Sequence, residues 1–524
     1  MAMRVERFLE DSAARHPAKT ALVAGGRRIS FAELDRETGR FAAGLIALGF
    51  QRGDRAVIFM DNAWEAVVAI FGVLKAGGVF SPVNASTKAD KLGYILGNCR
   101  ASTLITQHRL APVAQEAASA TPSVTITVVA NAPEGTCPAG AERFEAMTSG
   151  EYGDRPKRFA GIEIDLAMLV YTSGSTGFPK GVMMTHQNVV AAASSITTYL
   201  ENTADDIILN ALPISFDYGL YQVLMAMKLG ATLVLEKSFT FPAAIFKRVA
   251  EEKVTGLPLV PTMAAIVLQM RDLKPGDYPT LRYITNTAAA LPPAHIDRLR
   301  QLFPSATVYS MYGLTECKRC TYLPPAELDR RAGSVGIAIP GTEAYVVDET
   351  GRRVGPNVVG ELVIRGPHVM KGYWENEEAT AKALRSGPFP WEKVLHTGDL
   401  FRTDADGFLY FVGRKDDIIK TKGEKVSPKE VENVLYALAG VREAAVIGVP
   451  DPILGEALRA VIALEPGAGL TEADIARHCV RNLEDFMVPR QFDFHDELPK
   501  TDTGKISRRL VAELSLCGMT EAAE

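Results

Sequence analysis

The chain has 524 residues, too many for one ordinary core, so two or three domains are expected. With 47% hydrophobic and 23% charged residues it has the composition of a soluble globular protein, and a formal net charge of −5 gives no basic excess that would suggest nucleic-acid binding. Six cysteines in a chain of this length do not make a disulfide framework, and a cytoplasmic enzyme is the simplest summary of these bounds.

Residues 1–16 alternate charged and apolar positions and read as an amphipathic helix; a signal peptide would need an unbroken apolar core. Residues 31–48 carry apolar side chains at helical spacing and stop at Gly49, a C-cap signal. Residues 55–60 predict a strand, 64–76 a helix stopped by Gly77 and Gly78, and 79–83 the next strand. Such alternation implies crossover units and largely parallel sheet, and the rhythm returns at 103–106, 166–170, 207–212, 232–235 and 282–285. Lys75 and Lys228 interrupt the longest apolar stretches, so no window makes a membrane span. From about residue 342 the texture changes. Short strands at 344–348, 360–365 and 407–412, separated by Gly-rich turns, predict a small β-rich subdomain. A charged patch at 414–425 leads into a helix at 428–439, strands at 441–449 and 457–464, and a helix at 471–482. A boundary at 415–417 divides the chain into 1–414 and 415–524, and the second part is long enough for its own core.

Residues 171–181 read YTSGSTGFPKG, after an apolar stretch that predicts a strand. Glycines let backbone N–H groups approach a polyphosphate, serine and threonine hydroxyls donate hydrogen bonds, and Lys180 supplies charge. A flexible surface turn rarely combines these three properties. The loop is no kinase-type P-loop, because Pro179 precedes Lys180 and Gly181 follows it. Nor is it a nucleophile elbow, because Ser175 has Gly177 on one side but Ser173 on the other. Cys317 and Cys320 form a lone CxxC without a second pair or nearby histidines, and two small pocket or core residues is the default reading.

Here the chain resembles the adenylate-forming superfamily of acyl-CoA synthetases, free-standing amino-acid adenylation enzymes and luciferases. Six motifs occur in the family's order over nearly the whole chain: LKAGGVFSP at 74–82, the loop at 171–181, MYGLTE at 311–316, HTGD at 396–399, GRKDDIIKTKG at 413–423 and PKTDTGKI at 499–506. The resemblance implies a large N-terminal domain of two α/β subdomains and a β-rich subdomain, followed by a small mobile α+β lid. It implies an ATP-dependent, AMP-forming ligase with Mg2+, in which a carboxylate attacks the α-phosphate and expels pyrophosphate. The acyl group then passes to the thiol of coenzyme A or of a carrier protein's phosphopantetheine arm.

Lys505 matches the family lysine that bridges carboxylate and α-phosphate. Thr172, Ser173, Gly174, Ser175, Thr176, Gly177 and Lys180 match the phosphate loop. Glu316 matches the magnesium ligand, Thr315 a phosphate contact, and Gly313 belongs to the same motif. Tyr312 matches the aromatic that stacks on adenine, and Ala288, Ala289 and Ala290 the opposite wall, where the family is often glycine-rich. Asp399 matches the ribose acid and Arg414 a nucleotide-contacting arginine. Asp416 is the hinge, and Lys420 and Gly423 lie on the segment that replaces Lys505 when the lid rotates to admit the thiol. The acyl pocket is expected from Phe216, Asp217, Tyr221, Asn286, Met311, Arg319 and Cys320. An amine or other non-thiol acceptor stays open as an alternative, and so does a non-catalytic nucleotide-binding regulator, against which an intact Lys505 argues. Asp217 occupies the position of the aspartate that binds the substrate ammonium in amino-acid-activating members, so an amine-bearing acid is the expectation. Pairing with Arg319 would neutralise Asp217 internally, and a free Arg319 could read a second carboxylate.

Overall fold

The computed structural model describes residues 4–156, 161–172, 179–287, 291–415, 417–421, 424–451, 455–501 and 505–521, with backbone alone at 420, 424–425, 455 and 515–521. The first long helix, Phe31–Ala47, starts at a capping box in which Ser30 and Glu33 satisfy each other's backbone N–H groups. It ends before Gly49, whose φ of +98° suits the left-handed exit that glycine adopts without strain. Its buried Phe31, Leu34, Phe41 and Leu45 pack against the helix Trp64–Lys75. Lys75, which breaks an apolar run in the sequence, is buried as an ion pair: its Nζ lies 2.6 Å from the Asp35 carboxylate and 2.7 Å from the Thr38 hydroxyl.

Two large sheets form the body. In the eight-stranded sheet, Val79–Val83, Arg55–Phe59, Thr103–Gln107 and Ile126–Ala130 run parallel. Leu166–Thr172 joins them parallel to Val79–Val83, then turns back antiparallel as Lys180–Thr185, with Thr172 opposite Lys180. In the nine-stranded sheet, Thr20–Ala24, Thr232–Leu235, Ile207–Asn210, Gly256–Leu259, Tyr283–Asn286 and Thr307–Tyr312 run parallel. The expected crossover architecture is therefore present, with one large core spanning both sheets.

A third, antiparallel sheet contains Glu343–Val347, Gly360–Arg365, Lys393–Thr403 and Leu409–Arg414. The last strand begins two residues later than its sequence reading, at Leu409, because the Asp404 carboxylate accepts from the N–H groups of Asp406 and Phe408 and holds that stretch in a turn. The separate C-terminal domain has its own sheet, in which Val441–Asp451 and Gly455–Leu464 form a long hairpin. One face of it buries Val431, Leu435 and Ile475 from the helices Pro428–Ala437 and Glu472–Asn482. The other face packs Val461 and Ile447 against Leu498 and Val511. Among the described residues no helix is long and apolar enough to cross a membrane.

Candidate active site

The parallel strand Thr307–Tyr312 delivers the MYGLTE segment to the cleft, and the chain then doubles back tightly. A Cβ at Gly313 would stand 1.7 Å from the Lys318 carbonyl oxygen, so this approach admits only glycine. Lys318 itself takes φ +63°, a left-handed conformation unusual for a long side chain. At one end of the cleft, the Tyr312 hydroxyl donates to Asp399 Oδ2 at 2.6 Å. Arg414 Nε stands 3.5 Å from Asp399 Oδ1. Asp399 is buried, which pushes its carboxyl above the usual range, and the Arg414 charge and the Tyr312 bond work against that rise. Behind it, Glu361 accepts from the Gly398 N–H at 3.1 Å and lies 3.3 Å from His396 Nδ1 and 3.6 Å from Lys415 Nζ. Burial opposes the Glu361 charge, but His396, Lys415 and the backbone donor hold its pKa down at about 2.

Glu316 accepts a hydrogen bond from the Tyr373 hydroxyl at 2.8 Å, and the Lys180 ammonium stands 5.4 Å from the Tyr373 ring centre. Tyr373 reaches this spot because Gly372–Tyr373 pairs with the strand that begins at Lys180. Sequence reading missed Tyr373, which lies outside every motif. The Glu316 carboxylate has no salt bridge among the described residues, which leaves lone pairs for a hard cation. No group of three or more His, Cys, Asp or Glu among the described residues makes an all-protein metal cage.

At the other end stand Asp217, in the first turn of the helix Asp217–Leu229, and Tyr221 one turn further along. Arg319 Nη1 lies 3.6 Å from Asp217 Oδ2, and the guanidinium sits 4.5 Å from the Tyr218 ring centre. Lys318, fully buried, points its Nζ at the Tyr221 ring, 5.9 Å from its centre. Sequence reading missed Lys318; a charged pair between two cysteines, CKRC, was the available signal. Met311, Cys320 and Asn286 are buried beside this end, and Phe216 is half-buried. The Tyr199 hydroxyl lies 2.8 Å from the Met311 sulfur, and Asn286 donates to the Leu259 carbonyl at 3.3 Å. Burial pushes the Cys317 thiol well up, with a hydrogen bond to Cys320 adding to the rise, so it is no reactive thiolate.

Lys505 comes from the C-terminal domain. It keeps solvent contact through the cleft, yet protein crowds it. That crowding and the Arg414 charge lower its pKa, while Asp217 and Asp399 pull the other way. Its loop is anchored by Arg508, which bonds Asp417 at 2.8 Å and Glu432 at 2.7 Å. Thr172, Gly313 and Thr315 are half-buried along the same cleft. Ser173, Gly174, Ser175, Thr176, Gly177, Ala288, Ala289, Ala290, Asp416 and Gly423 lie outside the described residues, as does the side chain of Lys420.

Comparison with known proteins bears on this geometry. Residues 9–374 match the model of the AMP-binding enzyme family, and residues 430–505 match that of the AMP-binding enzyme C-terminal domain. A long-chain-fatty-acid–CoA ligase of Bacillus subtilis is 32% identical, over 97% of this chain and 94% of its own. A feruloyl-CoA synthase of Amycolatopsis is 34% identical, over 94% of each. The crystal structure of ATP-bound MatB from Rhodopseudomonas palustris superposes with a TM-score of 0.89 at 29% identity, over 98% of this chain and 99% of that one.

Proposed function

The chain belongs to the AMP-binding enzyme family, and on that premise we propose how its own residues make it an ATP-dependent, AMP-forming acid–thiol ligase. ATP and coenzyme A follow from the family; a carrier-protein thiol as acceptor, Mg2+ and a cytoplasmic location are part of the proposal. A carboxylate oxygen of the acid attacks the α-phosphorus, and the bond to pyrophosphate breaks. Two anions meet in that step, so a cation between them lowers the barrier. The observation that supports this reading is the pairing of Tyr312 with Asp399, 2.6 Å apart, beside Arg414 at one end of the cleft, and we assign the role of that cation to Lys505 of the C-terminal domain. Bound anions would raise its depressed pKa and keep it protonated. Tyr312 and Asp399 hold the nucleoside, Asp399 accepting from ribose hydroxyls. Lys180, Thr172 and the loop from Ser173 to Gly177 take the leaving phosphates. Glu316 would hold Mg2+, which supplies charge neutralisation at the phosphates when bound.

In the second step the thiol sulfur attacks the acyl carbon, AMP leaves with the phosphate oxygen, and the thiol proton goes to solvent. The division at 414/415, with Asp416 as hinge, lets the lid withdraw Lys505 and bring up Lys420 and Gly423 for this step. Lys505→Ala and Gly423→Trp therefore separate the halves. Lys505→Ala should lose ATP–pyrophosphate exchange yet convert supplied acyl-adenylate and coenzyme A to thioester. Gly423→Trp should exchange pyrophosphate and accumulate acyl-adenylate. Equal loss of both steps in either variant would overturn the two-step lid reading.

A further inference from the structure

The acyl end of the cleft holds two adjacent buried basic side chains, Lys318 and Arg319. Among the described residues, Lys318 Nζ and Arg319 Nε are both buried without a hydrogen-bond partner, and so are the Tyr221 hydroxyl and Asn286 Oδ1. Buried polar groups are normally satisfied, and unpaired charges are the costliest exceptions. One carboxylate, Asp217, faces these two cations, and its single contact to Arg319 is a loose 3.6 Å. Glu316 also senses Lys318, but its carboxylate is bonded to Tyr373 on the phosphate side.

Three substrate types can be weighed by charge. An ammonium on the substrate would place a third cation against one carboxylate. A neutral acyl chain would leave Lys318 buried and unpaired. An anionic group would pair Lys318, accept from Arg319 Nε and the Tyr221 hydroxyl, and bring the count to balance. Resting on the ligase reading above, we propose that Lys318 and Arg319 recognise a second acidic group on the substrate, so that this enzyme activates a dicarboxylic acid. The far carboxylate of such a substrate would lie toward the unpartnered Lys318 Nζ, Arg319 Nε and Tyr221 hydroxyl, and its reacting carboxylate toward the phosphate side of the cleft.

The test is ATP–pyrophosphate exchange with succinate, glutarate and adipate, against monocarboxylates and ω-amino acids of matched length. The best diacid should exceed its matched monoacid in kcat/KM by about tenfold or more, and Lys318→Met should shrink that ratio by about tenfold to a hundredfold. Preference of the unaltered enzyme for a monoacid or an ω-amino acid overturns the proposal while leaving the ligase reading intact. So does a ratio that Lys318→Met, shown by calorimetry to bind ATP, leaves unmoved. If Lys318→Met does not fold, the panel on the unaltered enzyme decides alone. Failure of every acid, these and a wider set of fatty and aryl acids included, to support exchange removes the ligase reading and the diacid with it.

Discussion

The two ends of the cleft are built on opposite principles. At the ribose end Tyr312, Asp399 and Arg414 bind one another, and Glu361, His396, Lys415 and the Gly398 N–H form a second closed set behind them. At the acyl end Lys318, Arg319, Tyr221 and Asn286 each leave a buried polar atom without a hydrogen-bond partner among the described residues, and Arg319 meets Asp217 only loosely. ATP is the same molecule in every turnover, so a self-satisfied, preorganised site serves it with little rearrangement. The acid must be selected, and unpaired buried groups select strongly because only a complementary ligand relieves them.

On the proposed mechanism Lys505 bridges the two ends, so its removal carries the largest expected effect. Lys505→Ala should lower pyrophosphate exchange by at least about a thousandfold, on the order of 4 kcal/mol in the barrier. Its side chain makes no hydrogen bond or salt bridge among the described residues, so the melting temperature should move little. Exchange at the unaltered rate would mean that the two ends are not bridged by this lysine at all.

The closed set at the ribose end should show in the pH dependence of stability. Glu361 titrates at about 2 in the folded chain, against an ordinary value of 4.5. A depressed carboxylate stabilises the fold fully above its unfolded value, and that contribution is lost as pH falls through the folded one. Denaturant titrations between pH 6 and pH 2 should therefore show Glu361→Gln lacking a loss of about 2–3 kcal/mol that the unaltered protein suffers. Parallel acid profiles would show that the Glu361 set is not tightly closed.

Asp217→Asn is the smallest change and tests the open end by its sign. With the carboxylate gone, two cations face the substrate unopposed, and KM for a diacid should fall by about threefold to tenfold. A rise in KM confined to an amine-bearing acid would reverse the charge argument and restore the ammonium reading that the sequence first suggests.

Much of this protein is legible in its sequence. Strand and helix periodicity located the crossover units, because residues such as Phe31, Leu34, Phe41 and Leu45 must share one face wherever the helix docks. The six motifs identified the chemistry, because a phosphate loop or a tight turn such as that at Gly313 is set by short-range backbone constraints. Tertiary structure alone decided which charges meet. Tyr373 reaches Glu316 through strand pairing with a segment nearly 200 residues away, a relation no spacing encodes. Lys75 interrupts an apolar run and Lys318 stands beside Arg319, and neither segment by itself names what its lysine will meet. The fold gives Lys75 a carboxylate and a hydroxyl from a neighbouring helix, and gives Lys318 an aromatic face with, among the described residues, no acceptor in reach of a hydrogen bond. A charge becomes structural or functional according to what the rest of the chain packs around it, because burial removes the water that would otherwise satisfy it.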